Sequence, residues 1–246
     1  MTSWSASASG DSVAGMTTVV LVHGAFHGAW CWEPVRNLLD EQGIPNLAPE
    51  LPLTGLEADA AAVRALLDAV DGPVVLCGHS YGGMVISRAA SSRDDVDRLV
   101  YLCAVQVADD AEMAAVMQPT PLMEHLVHGD DGSLAVDPAH AAADFYHDCT
   151  PDVAAAAVAK LRPMPSGVDT EALSGADVPP PAWTQLPSTY VVCTDDRAVH
   201  PDAQRTMAEH ADDQVVWDTS HSPMLSRPDL VADLLAALAA QYQGVR

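Results

Sequence analysis

Pro73-Val74-Val75-Leu76-Cys77-Gly78-His79-Ser80-Tyr81-Gly82-Gly83-Met84 is the stretch on which the reading of this chain turns. An apolar, β-forming run from Val74 to Cys77 breaks off at a G-x-S-x-G turn, and a helix-like pattern resumes from Gly83. Strand, sharp turn and helix in this order expose a serine hydroxyl at the tip of the turn, and small residues two before and two after Ser80 let the backbone fold tightly enough. The pentapeptide is short and also occurs in ordinary Gly/Ser turns, so the flanking sequence has to decide its meaning.

Upstream, a β-branched strand from Thr18 to Val22 runs into His23-Gly24-Ala25-Phe26, a loop whose glycine lets the backbone approach a ligand. Trp32–Gln42 reads as an amphipathic helix with Val35, Leu38 and Leu39 on one face, and Ile44–Ala48 as a short strand. Leu56–Val70 carries Ala62, Leu66 and Ala69 at helical spacing and ends at the Asp71-Gly72-Pro73 turn. Downstream, Arg98–Cys103, Thr189–Cys193 and Gln214–Asp218 read as strands, and Pro228–Tyr242 as a helix with Leu230, Leu234, Leu235 and Leu238 as its buried stripe. Strands alternating with helices predict an α/β fold, a doubly wound, mainly parallel sheet of about six strands.

About 85 residues separate the Arg98 and Thr189 strands, too many for a structureless loop. With helical patches at Ala139–His147 and Pro151–Leu161, they predict a mainly helical cap. The expected organisation is a flexible extension over 1–15, an α/β core over 16–104 and 187–246, and a cap over 105–186. The extension is Ser/Ala/Gly-rich and has neither a basic segment nor an apolar one of the kind a secretory leader needs.

The 246 residues carry 34 acidic and 11 basic side chains, a net charge of -23. Such a surface repels nucleic-acid phosphates and anionic lipid head groups, which excludes both as expected partners. Cys31, Cys77, Cys103, Cys149 and Cys193 are odd in number and widely spaced, which fits a reducing cytoplasm better than a disulfide framework. No metal is expected: His125 with His128 and His140 with His147 lack a zinc-like Cys/His/carboxylate set.

A serine hydroxyl needs a base, and the base an acid to fix its tautomer. On a parallel sheet these partners come from loops at the carboxyl ends of later strands. Asp195 and Asp196 follow the Thr189 strand, and His221 follows the Gln214 strand. Backbone N–H groups of Tyr81 and Ala25 are the expected oxyanion hole, with Phe26 a weaker donor. Phe26, His23, Met117 and Trp183 are candidate substrate contacts, although His23 and His27 flank the glycine loop and bracing it is their favoured role; Met113, Met117, Met123, Met164 and Trp183 either line the pocket or pack inside the cap. Serine, histidine, acid and backbone donors supply the chemistry, so no cofactor is expected.

The segments V-L-V-H-G-A-F-H-G-A-W-C-W, C-G-H-S-Y-G-G-M, F-Y-H-D-C-T-P and Y-V-V-C-T-D-D-R-A-V-H-P, with the late His221, resemble the α/β-hydrolase branch that contains plant methyl esterases and hydroxynitrile lyases. The resemblance spans essentially everything after Met16 and implies a Ser80, Asp196, His221 triad, Asp195 being the fallback acid. It implies an esterase acting on a small apolar or aromatic carboxylic ester; a homodimer is the candidate assembly. The lyases of this branch carry a threonine where this chain has Gly24 and a lysine where it has Ser222, so cyanohydrin cleavage is the less favoured alternative. A lyase or carbon–carbon bond hydrolase using the same site, and a non-catalytic small-molecule binder on the scaffold, are the remaining readings.

Overall fold

The computed structural model describes residues 15–166, 173–175 and 177–243; the predicted extension, but for Gly15, lies outside the described residues. The chain begins with β1 (Thr18–Val22), a 3-10 turn at Ala29–Trp32, α1 (Glu33–Glu41), β2 (Asn46–Leu47), α2 (Leu56–Leu67), β3 (Val74–His79), α3 (Gly82–Ala89) and β4 (Val96–Leu102). An insertion follows, with α4 (Asp110–Val116), α5 (Pro121–Glu124), β5 (Leu126–His128), β6 (Ser133–Val136), α6 (Pro138–Phe145), α7 (Pro151–Val158) and β7 (Met164–Pro165). The chain then closes with β8 (Ser188–Cys193), α8 (Pro201–Ala208), β9 (Asp213–Trp217), α9 (Pro223–Ser226) and α10 (Pro228–Ala240).

Six strands form one sheet in the order β2-β1-β3-β4-β8-β9, and every pairing is parallel. The central strands are apolar on both faces because each is covered twice. Val20 and Val22 of β1 and Val74 and Leu76 of β3 pack on the side of α2 and α3, while Val19, Leu21, Val75 and Cys77 pack on the side of α1 and α10. All six strands run the same way, so the loops after β1, β3, β8 and β9 gather at one edge, where ligands bind in open α/β sheets.

Three details depart from the sequence reading. In α2 the buried face is Leu56, Ala60, Val63 and Leu67, not Ala62, Leu66 and Ala69, and the helix stops at Leu67. Asp59 shares that buried face, which a carboxylate does only when its oxygens are bonded. In α10 the fully buried residues are Val231, Ala232, Leu235, Leu238 and Ala239, with Leu230 and Leu234 only partly covered. The insertion holds a three-stranded antiparallel sheet, β5-β6-β7, beside its helices. These strands span three, four and two residues, too few alternations to show a period of two.

Candidate active site

Ser80 sits at the junction of β3 and α3 with φ 54°, in the left-handed region that a residue with a side chain rarely occupies. The strain is held by packing. A Cβ on Gly78 would stand 2.5 Å from the Gly82 carbonyl oxygen, and one on Gly82 would stand 2.7 Å from that of Val22. Only glycine fits either place. The Ser80 carbonyl accepts from Gly83 N–H (2.9 Å) and Val105 N–H (3.0 Å), which locks the turn between α3 and the chain leaving β4.

His221 follows β9, is 1% exposed, and its Nδ1 lies 2.6 Å from Asp196 Oδ2. Asp196 is buried and fully engaged. Its Oδ1 accepts from Ala198 N–H (2.7 Å) and Val199 N–H (2.8 Å), and its Oδ2 also accepts from Gln204 Nε2 (2.8 Å). Asp195, the neighbouring acid, turns the other way, with Oδ2 2.9 Å from His147 Nε2. The backbone of His221 is itself supported, since its carbonyl accepts from His79 Nε2 (2.8 Å) and Cys103 Sγ (3.4 Å). His79, Cys103 and His221 come close together because two of them meet the carbonyl of the third.

The loop after β1 is braced by its own histidines. His23 Nδ1 donates to the Gly24 carbonyl (2.9 Å) while Nε2 accepts from Leu51 N–H (3.0 Å). His27 Nδ1 donates to the Ala25 carbonyl (2.8 Å) while Nε2 accepts from the Tyr146 hydroxyl (2.8 Å). Burial is the main reason both rings stay neutral, His23 pushed down to about 4 and His27 to about 3. A peptide unit is planar, with its C=O and N–H opposed. Holding the Gly24 and Ala25 carbonyls therefore sets the directions of the Ala25 and Phe26 N–H groups. Phe26 itself has φ 62°.

Above Ser80 lies a cavity of about 220 Å³, bordered by Ala25, Phe26, Ser80 and Tyr81 and otherwise walled mainly by apolar side chains. Six methionines line it: Met84, Met113, Met117, Met123, Met164 and Met207. Of the candidate contacts, Phe26 and Met117 border this cavity, whereas His23 and Trp183 do not. His23 is buried beneath the loop, and Trp183 stacks on His210 at 4.5 Å, away from the cavity wall. A tryptophan in an insertion carries no signal for which side of the backbone it occupies.

Sequence reasoning missed Asp59. Its Oδ1 accepts from Leu53 N–H (2.7 Å) and its Oδ2 from the Tyr81 hydroxyl (2.7 Å). Burial raises its carboxyl above the usual range. Through Tyr81 it holds the residue directly after Ser80. The one available sign was an aspartate three residues after Leu56 on an otherwise apolar helix face.

Together these features define a serine elbow beneath an apolar cavity, with an imidazole–carboxylate pair at the same sheet edge. The chain belongs to the alpha/beta hydrolase family, whose pattern residues 19–234 match. It is 29% identical over 246 residues to the alpha/beta hydrolase nvfD of Aspergillus novofumigatus, covering 91% of this chain and 96% of that protein. It is 28% identical over 256 residues to methylesterase 2 of Arabidopsis thaliana, again covering 91% and 96%. The crystal structure of polyneuridine aldehyde esterase shares its fold, with a TM-score of 0.77 at 21% identity over 91% of this chain and 99% of the other.

Proposed function

We propose that this chain hydrolyses carboxylic esters whose acyl or alcohol part is uncharged and apolar, through an acyl-enzyme on Ser80. One observation carries the reading: the strained serine borders a methionine-walled cavity at the sheet edge that also holds the His221–Asp196 pair. The methylesterase relative supports the same class of bond.

In this reading Ser80 Oγ attacks the ester carbonyl carbon as His221 Nε2 takes its proton; Nδ1 is already engaged by Asp196. Ala25 and Tyr81 N–H groups bind the oxyanion, interactions that strengthen only as charge develops. Collapse breaks the C–O bond to the alcohol, which leaves with the proton from His221. A water then gives its proton to His221, attacks the acyl carbon, and the acid departs as Ser80 regains its hydrogen. Residues 105–186 act as a cap that keeps bulk water from this apolar space, over a core formed by 16–104 and 187–246.

Cyanohydrin cleavage is disfavoured by Gly24 and Ser222. A Cβ on Gly24 would stand 2.8 Å from Ser80 Cβ and 3.0 Å from His79 Nδ1, so this elbow leaves no room for threonine there. Ser222 offers a buried hydroxyl in place of a cation for a leaving cyanide. The test is turnover of p-nitrophenyl esters alongside mandelonitrile, with Ser80→Ala and fluorophosphonate labelling. Ester turnover lost in Ser80→Ala, with labelling of Ser80 in the unaltered chain, is expected. Full turnover in Ser80→Ala, or dominant mandelonitrile cleavage, would displace the reading.

A further inference from the structure

Two consecutive residues of the insertion, His147 and Asp148, bond the residues that immediately precede the acid and the base. His147 Nε2 lies 2.9 Å from Asp195 Oδ2, and Asp195 precedes Asp196. Asp148 Oδ2 accepts from Ser220 N–H at 2.8 Å, and Ser220 precedes His221. Their neighbours extend the grip. The Phe145 carbonyl accepts from Ser220 Oγ (3.2 Å), the Phe145 ring lies 5.7 Å from the His221 ring, and the Tyr146 hydroxyl donates to His27 (2.8 Å). Four successive side chains or carbonyls thus reach the loops after β1, β8 and β9. The β8 and β9 loops are joined to each other by Asp195 N–H to the Thr219 carbonyl (3.1 Å).

We propose that His147 and Asp148 form a positioning clamp that sets the distance and angle between His221 and Asp196, so that the insertion tunes the base as well as enclosing substrate. The proposal rests on the reading of Ser80, His221 and Asp196 as a triad. Its physical ground is that acid and base come from two separate loops, and that His147 and Asp148 anchor both of these loops to one short segment of the insertion. A hydrogen bond of 2.6 Å between buried groups tolerates little displacement, and misplacement of a reacting group by about 1 Å from a distant change can cost about 100-fold in rate. Neither clamp residue touches the reacting atoms in this scheme; both act through Asp195 and Ser220.

Asp148 is exposed and His147 partly so, which makes them separable from the core. The experiment compares the unaltered chain, Ser80→Ala, Asp148→Ala, Asp148→Asn and the double variant His147→Ala/Asp148→Ala. Steady-state rates on p-nitrophenyl butyrate are expressed per Ser80 labelled by fluorophosphonate, so that loss of folded protein does not register as loss of rate. Asp148→Ala is expected to lower kcat about 10-fold and the double variant up to about 100-fold. KM should change by less than about twofold, and labelling should slow in parallel. Asp148→Asn keeps an oxygen acceptor for Ser220 N–H and should retain most of the activity. Unaltered kcat per labelled site in the double variant would overturn the clamp, as would a rise in KM at constant kcat. Absence of labelling in the unaltered chain, or turnover by Ser80→Ala, would instead remove the triad reading and the clamp with it, and is seen before any clamp variant is compared.

Discussion

His79, the residue before Ser80, donates from Nε2 to the carbonyl oxygen of His221 at 2.8 Å, and the two rings lie 4.6 Å apart. The strand end that carries the serine is therefore joined directly to the loop that carries the imidazole. Burial drives the His79 ring well below its ordinary range, so it stays neutral and keeps one N–H for this bond. Replacing it by phenylalanine fills the space but removes the donor. His79→Phe should lower kcat roughly 10-fold and cost about 1–3 kcal/mol for the buried carbonyl left with only the Cys103 thiol. Steady-state kinetics and urea denaturation read the two effects separately.

Asp196 and Asp195 differ in sequence by one position and in structure by their partners. Asp196→Asn should reduce kcat by on the order of 10⁴, because the imidazole is left in the wrong tautomer. Asp195→Asn leaves the Asp196–His221 bond in place and should lose far less. Equal losses in the two variants would assign the acid role wrongly.

Gly24→Thr tests the lyase alternative. The new Cβ meets Ser80 Cβ at 2.8 Å, so the elbow has to shift. Ester turnover should drop at least about 10-fold with no mandelonitrile cleavage gained. A rise in that cleavage would show that the elbow yields and that the reaction is set by this position.

Met164 is buried in the insertion and lines the cavity. Met164→Trp fills apolar volume and should shift preference toward shorter acyl chains. Each methylene excluded is worth about 1–3 kcal/mol, or about 10- to 200-fold in kcat/KM. A series of p-nitrophenyl esters from acetate to octanoate measures the change; an unaltered series would take Met164 out of the acyl path.

Acid should destabilise the fold. His23 and His27 titrate near 4 and 3 in the folded chain, and near 6.5 when unfolded. Below about pH 6.5 the unfolded chain binds protons that the native chain refuses, so stability falls as pH drops toward 4. Each such histidine contributes up to about 1.4 kcal/mol per pH unit in that window. Asp59, whose carboxyl is raised, works in the opposite sense. Thermal melting from pH 7.5 to 4.5 should show a steady decline; a flat profile would mean that the loop histidines are not buried neutral.

Ser80, His221 and the strands that carry them are legible in the sequence because their signals are local. A β-branched run ending in Gly78-His79-Ser80-Tyr81-Gly82 allows few backbones, and the distance between the Arg98 and Thr189 strands requires an insertion. Those constraints act over neighbouring residues, so order along the chain is enough to read them. The tertiary structure alone decided that Trp183 packs on His210 and that Asp59 belongs to a buried helix face, where it holds Tyr81. It also decided that His147 and Asp148 reach the loops after β8 and β9, 48 and 72 residues further along the chain. A polar side chain carries no mark of its partner in its own neighbourhood; the partner is chosen when distant loops are packed against one sheet edge and each buried polar group must be bonded.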